Sequence, residues 1–374
     1  MRIIIAPDSF KDALSAKGVA EAIQHGIKMA SPTDETVVFP LGDGGEGSSE
    51  ILGDHLKAVK KTVEVEDALG RPVEAHYYYS KENRTALIEM AQASGLQRIR
   101  HEERNCMEAS SFGTGQLLLD ALRSGAERIV LAIGGSATND AGMGLASALG
   151  VKFYDKNNRL LKGKGRELQQ VHYYDKSRLL VPEGIKIDVL CDVDNPLFGE
   201  KGAAYVYAQQ KGANDEEIKL LDKGLRHFST VVRKQEESDF AEIPGAGAAG
   251  GIGFGAMVFL NAKLYKGIDL MLELTGFDAQ IKGADFIITG EGKIDDQTVH
   301  GKLISGIARH AHKQNIPVIA LCGTLDTDID SIGKLGLFAV FSIQSSPGTL
   351  ENALKRTPRD LMLTTFNVRR LLKA

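Results

Sequence analysis

The sequence predicts an α/β protein, in which a parallel-sheet domain built from both ends of the chain carries a second α/β domain inserted between them. Three observations carry that expectation. Strand-like apolar runs are followed by a glycine-bearing loop and then by a helical pattern, twice within the first sixty residues and again in the last third. Between them the texture changes, and residues 62–65 and 73–79 alternate apolar and polar side chains like antiparallel or edge strands. The length of 374 residues is also closer to two domains than to one.

Each element has a local reason. Residues 2–6 are a short β-branched run stopped by Pro7, hence a buried strand, and Ser15 opens a helix on which Val19, Ile23 and Ile27 recur at i, i+4 and i+8. Residues 36–39 give the next strand and residues 48–56 the next helix. The turn-forming residues 69–72 separate the two alternating segments. A helix over 114–123 stopped by Gly125, a strand over 128–133, a helix around 140–149 stopped by Gly150, a strand over 186–191 and a helix over 215–234 complete the inserted domain. After a Gly- and Ala-rich passage at 244–255 the doubly wound pattern returns. It places strands at 286–289, 318–321 and 337–343, a helix at 303–312 and a closing amphipathic helix at 359–372. The expected domains are therefore 1–75 with 265–374, and 76–264.

Composition narrows the function. Hydrophobic residues at 43% and charged residues at 25% exclude disordered, collagen-like and small disulfide-stapled classes. A net charge of -4 supplies no overall reason to bind nucleic acid or an anionic membrane, so neither partner is expected. Cys106, Cys191 and Cys322 are odd in number and in no metal-ligand spacing, which points to small buried thiols in a reducing compartment. The N-terminal apolar run is too short for a signal peptide and no stretch has the length of a membrane span, so a cytoplasmic protein is expected. No P-loop, zinc-ligand or nucleophile-elbow pattern occurs. Residues 245–250 fit G-x-G-x-x-G, but without a preceding strand or a βαβ unit. Close approach of a helix or ligand is the better reading there than a dinucleotide site.

The 41 glycines gather where apolar runs end, and ligands in open α/β sheets sit outside the carboxyl ends of strands. Following the first strand, Asp8, Ser9 and Lys11 put a carboxylate, a hydroxyl and an ammonium within one turn. Lys11 can hold a phosphate or carboxylate, and Asp8 a hydroxyl proton or a metal; an Asx turn before a capped helix is the alternative. Residues 42–47 hold four glycines, among them Gly44 and Gly45, with the acids Asp43 and Glu46. Backbone amides there can close on an anion while the acids hold Mg²⁺ at its edge. Gly134, Gly135, Ser136, Thr138, Asn139 and Asp140 join a strand to a helix start, a place where backbone N–H groups and the helix dipole hold phosphate or carboxylate. Glu291 and Asp295 can share a cation, and Lys293 or Lys302 can meet a phosphate. Asp192 and Asp194 either chelate Mg²⁺ or make a turn before Pro196.

Taken together, the motifs at 7–11, 41–47, 134–142, 191–196 and 289–295 resemble those of the type I glycerate kinases over almost the whole chain. The resemblance implies a flavodoxin-like α/β domain with an inserted α/β domain, an active site in the cleft between them, and phosphorylation of D-glycerate with ATP and Mg²⁺. The partners expected are ATP and D-glycerate, with a homodimer allowed for. Phosphoryl transfer needs positioning and charge neutralisation above all. On that chemistry Gly134, Gly135, Ser136 and the helix start at Asn139 and Asp140 hold an anion, nucleotide phosphate before glycerate carboxylate. Lys11 neutralises the transferring group, Asp8, Asp43 or Asp192 is the base, and Glu291 with Asp295 helps hold Mg²⁺. The acceptor expected is the 2-hydroxyl rather than the 3-hydroxyl. A nicotinamide-dependent hydroxy-acid dehydrogenase and a non-catalytic carboxylate-binding protein are the alternatives.

Overall fold

The computed structural model describes residues 1–42, 47–295 and 303–372. Its strands in chain order are β1 (Arg2–Ile5), β2 (Glu35–Val38), β3 (Val59–Glu66), β4 (Pro72–Ser80), β5 (Thr85–Glu89) and β6 (Arg128–Ala132). They continue with β7 (Lys152–Tyr154), β8 (Tyr173–Asp175), β9 (Lys186–Leu190) and β10 (Lys263–Tyr265). The last three are β11 (Phe286–Asp295), β12 (Val318–Asp326) and β13 (Ala339–Ser342). The chain divides into two compact units, Met1–Asp43 with Gly267–Ala374, and Gly44–Lys266.

In the first unit five strands pair in the order β13-β12-β11-β1-β2, and every pairing is parallel. Counted along this unit alone the order is 2-1-3-4-5, that of flavodoxin-like doubly wound sheets. The apolar run of β1 is buried in the sheet centre. Ser15 caps the helix Ala16–Ala30 by accepting from the Gly18 N–H at 3.2 Å, and that helix buries Val19, Ile23 and Ile27 as the periodicity requires. They pack with Ile3, Ile5, Ile288, Ile319 and Leu361 in one cluster. Gly26 lets the C-terminal helix come close, because a Cβ there would lie 2.4 Å from the Met362 carbonyl oxygen.

Two elements differ from the sequence reading. The C-terminal helix begins at Leu350, not Arg359, with Thr349 as its cap, and runs through Pro358 to Leu371. Proline reads as a helix stop because it lacks an N–H and crowds the preceding turn, yet here the helix continues through it. Strand β11 likewise does not stop at Thr289. Its ladder with β12 continues to Asp295 opposite Asp326, so the expected loop is largely strand.

The second unit holds a six-stranded sheet, β10-β9-β6-β5-β4-β3, parallel from β10 to β5 and antiparallel through β4 and β3. Because β3 pairs with β4 along its whole length, this unit starts well before the boundary expected near residue 75. The five-residue β5 carries no alternation that would have marked it as a strand. The Gly- and Ala-rich passage becomes the helix Ala248–Leu260, entered through positive φ at Ala249, Gly250 and Gly251. Its Phe254 and Phe259 join Phe153 and Phe228 in an aromatic core, with the Phe153 and Phe259 rings edge to face at 5.4 Å. Cys106, Cys191 and Cys322 are buried and free. No described helix is long and apolar enough to cross a membrane.

Candidate active site

In the first unit the chain leaves β1 for β2 on one side and β11 lies on the other, which makes the carboxyl ends of β1 and β11 a switch point. Of the sequence-predicted residues, Asp8, Ser9 and Lys11 lie there. The Asp8 N–H donates to the Gly290 carbonyl at 2.9 Å, and the Asp8 Oδ1 accepts from the Ser9 N–H at 2.6 Å and the Ser9 hydroxyl at 3.3 Å. A half-buried carboxylate is thereby oriented by backbone. Lys11 is exposed on the same loop, and a Cβ on Gly292 would stand 3.4 Å from its backbone nitrogen, so the two segments lie side by side.

Strand alternation sends Glu291, Lys293 and Asp295 to one face. Glu291 is buried beside Cys322, and burial with that neighbouring carboxylate pushes the Cys322 thiol up to about 12. The Lys293 ammonium sits 2.8 Å from Asp326 Oδ2 and 3.4 Å from Asp295 Oδ2, and the Asp326 hydrogen bond above all raises its pKa. Asp326 escaped the sequence reading because β12 was expected to end at Leu321. Four residues of strand separate Glu291 from Asp295 by about 13 Å, too far for comfortable joint chelation of one ion. Among the described residues no group of three His, Cys, Asp or Glu side chains forms a metal cage. A Mg²⁺ ion carried on phosphates takes only one or two protein carboxylates, however, and Asp295 at the strand end fits as one.

In the second unit the loops after β5 and β6 are stitched together. Leu96 N–H donates to the Gly135 carbonyl at 2.9 Å and Ala137 N–H to the Ser94 carbonyl at 2.9 Å. Gly134 and Gly135 are exposed, and Ser136, Thr138, Asn139 and Asp140 are buried. The Asp140 carboxylate accepts from the Ser111 N–H and hydroxyl, both at 2.7 Å, and from the N–H groups of Gly142 and Gly144 at 3.1 and 3.2 Å. Burial raises its pKa and these donors oppose the rise. Asp140 therefore secures the turn from within, tying it to the starts of the helices Phe112–Arg123 and Met143–Ala148, and presents no charge outward.

Behind the same loop stands Lys211, fully buried, its ammonium 2.7 Å from the Ser136 hydroxyl and 2.7 Å from the Thr138 carbonyl oxygen. No spacing or motif around this lysine marks it in the sequence. Asp192 lies exposed in the loop after β9, and that loop is held where the Asn195 amide donates to the Lys201 carbonyl and its Oδ1 accepts from the Tyr207 hydroxyl, both at 2.7 Å. The glycine passage packs between these loops, since a Cβ on Gly247 would lie 2.1 Å from the Pro196 carbonyl and one on Gly250 2.0 Å from that of Thr138. Its G-x-G-x-x-G pattern thus serves close packing. Asp43, Gly44 and Gly45 lie outside the described residues.

Parallel sheets whose carboxyl ends carry lysines, oriented carboxylates and glycine loops define an α/β enzyme acting on small anionic molecules. The chain belongs to the glycerate kinase family, whose profile matches residues 3–373. It is 45% identical to a glycerate kinase of Halalkalibacterium halodurans, with 95% of this chain and 93% of that protein covered. It is 40% identical to the glycerate 2-kinase of Escherichia coli, with 98% and 97% covered. A crystal structure described as glycerate kinase 2 from Salmonella typhimurium LT2 matches it with a TM-score of 0.91 at 40% identity, over 100% of this chain and 98% of that one. The chain is accordingly a kinase, of the glycerate kinase type.

Proposed function

We propose that the protein transfers the terminal phosphoryl group of ATP to the 2-hydroxyl of D-glycerate in the presence of Mg²⁺. The observation that supports this most is the gathering of Asp8, Ser9 and Lys11 beside Gly290 and Gly292 at the β1/β11 switch point. In this reading Asp8, held by the Ser9 N–H, takes the proton of the attacking hydroxyl, with Asp43 and Asp192 as the alternative bases. Lys11 draws negative charge off the transferring group. Gly134, Gly135, Ser136, Thr138 and Asn139 hold nucleotide phosphate through backbone amides. Lys293 is taken by two carboxylates and meets phosphate only by leaving them. Bound Mg²⁺ supplies charge neutralisation across the phosphate oxygens, with Asp295, or Glu291 separately, as its protein ligand. Buried thiols suit a reducing, ATP-containing cytoplasm.

The test is ADP release coupled to an optical readout with ATP, Mg²⁺ and D-glycerate, followed by phosphorus NMR of the product. Glycerate-dependent ADP with a single 2-phosphoglycerate resonance is expected, and a 3-phosphoglycerate resonance would reverse the regiochemistry. Lys11→Ala is expected to lower turnover by about 10²-fold or more with the fold intact. Turnover near that of the wild type would remove Lys11 from the reaction.

A further inference from the structure

We propose that Lys211 is the positioning residue of the 134–139 loop: from behind, its ammonium fixes Ser136 and Thr138 and supplies the positive charge against which an anionic ligand settles. The inference rests on the reading of that loop as an anion site. A buried ammonium is costly unless it is paired, and both acceptors Lys211 meets are uncharged. Asp140 and Cys106 favour the ammonium from a distance, but burial outweighs them and no carboxylate pairs with it directly. The Asp140 carboxylate is committed to four donors, and burial holds its pKa up. The Cys106 thiol, pushed up to about 11 chiefly by burial, is neutral at working pH, and Glu217 raises it further. Arg104, donating to the Gln210 carbonyl, adds positive charge.

The backbone that carries the lysine is fixed as well. The Lys211 carbonyl accepts from the Cys106 N–H at 3.2 Å, and Gly212 at φ +94° is pressed against Arg104, where a Cβ would lie 2.1 Å from the carbonyl oxygen. A second observation at the loop points to a ligand or its water. The Thr138 hydroxyl and both polar atoms of the Asn139 side chain are buried without a hydrogen-bond partner. A cation with no carboxylate in direct contact, beside unpartnered polar groups, suits a site that an anion completes.

Burial brings the Lys211 pKa down to about 8, below its value in the unfolded chain. Above pH 8 the unfolded chain therefore holds more protons than the folded one, and folding stability contributed by this group rises with pH. Anion affinity moves the other way, because the ammonium is lost. A lysine that only braced the loop would not produce that opposition.

Calorimetric binding of ADP and, separately, of D-glycerate from pH 7.5 to 9.5 tests this, alongside urea unfolding over the same range. Neither ligand titrates there. Wild-type affinity for ADP is expected to fall towards tenfold per pH unit above about 8. Lys211→Met is expected to bind roughly 10- to 100-fold more weakly at pH 7.5 with a flat profile, and Lys211→Arg to recover part of the loss. Affinities of Lys211→Met equal to wild type for both ligands, with the same fall at high pH, would overturn the role of Lys211. If the methionine variant does not fold, a wild-type affinity flat through pH 8 overturns it equally. An effect on D-glycerate and not on ADP would sustain Lys211 but overturn the nucleotide-phosphate reading of the loop.

Discussion

A Cβ on Gly250 would lie 2.0 Å from the Thr138 carbonyl oxygen and 2.6 Å from the Asn139 Cα, and the residue adopts φ +72°. Neither constraint tolerates a side chain, and both obstacles are backbone. Gly250→Ala is thus expected to cost more than about 2 kcal/mol in urea unfolding and to weaken ligand binding at the loop beyond that. A variant within about 0.5 kcal/mol of wild type, within the range of ordinary surface changes, would show that the loop does not depend on this contact. That the glycines serve close approach was legible from residues 245–250, because the pattern lacks the strand a dinucleotide site requires. Which backbone they approach was not legible, since Thr138 and Asn139 are distant in sequence. Asp140 shows the same limit: its place before a helix is visible in the sequence, but burial under four donors depends on Ser111, which only the fold brings there.

Among the elements, those with a clean local signal were found: β1, the capped helix Ala16–Ala30, the alternating β3 and β4, and the helix Asp215–Glu236. Where tertiary contact overrides local chemistry, the local signal misleads. Glycines at 290 and 292 look like a loop, but the β12 ladder carries β11 on past them, and Pro358 looks like a stop inside a helix that packs along Ala16–Ala30. That packing is locked by one buried ion pair. Arg369 donates from Nη2 to Asp34 Oδ1 at 2.9 Å and from Nε to Oδ2, and the N-terminal ammonium reaches Asp34 Oδ1 at 3.1 Å. The Arg369 hydrogen bonds hold the Asp34 carboxyl far below the usual carboxylate range. Asp34→Asn leaves Arg369 buried and unpaired, so a loss of about 3–5 kcal/mol is expected. A depressed carboxyl contributes stability that is present above its unfolded value and lost as pH falls. The gap between wild type and Asp34→Asn is therefore expected to be full near pH 7 and to close below about pH 4. A gap that stays constant down to pH 3 would mean that the lost charge is not its source.

At the scale of the whole molecule, the chain carries one large apolar cluster in residues 47–266 and separate ones around β1, β11 and β12. The Asp34–Arg369 pair belongs wholly to the first unit, closing its two chain segments on one another, since Asp34 follows the first helix and Arg369 ends the last. Removing Arg369 should therefore reach the amides that depend on that closure before it reaches those of the six-stranded sheet. In native-state hydrogen exchange read by mass spectrometry, Arg369→Ala is expected to lower the opening free energy of β1, β2 and β11 to β13. The amides of β5, β6 and β9 should stay at wild-type protection, because their pairing partners and their aromatic core all lie in the second unit. The same variant separates structure from chemistry: Gly134 and Ser136 follow β6 of the unaffected sheet, so on the proposed roles ADP binding at their loop should survive a destabilised first unit while turnover, assigned to Asp8 and Lys11, falls. Equal loss of protection in both sheets would show that the two units open as a single cooperative body, and their separate cores would then not set how the molecule unfolds.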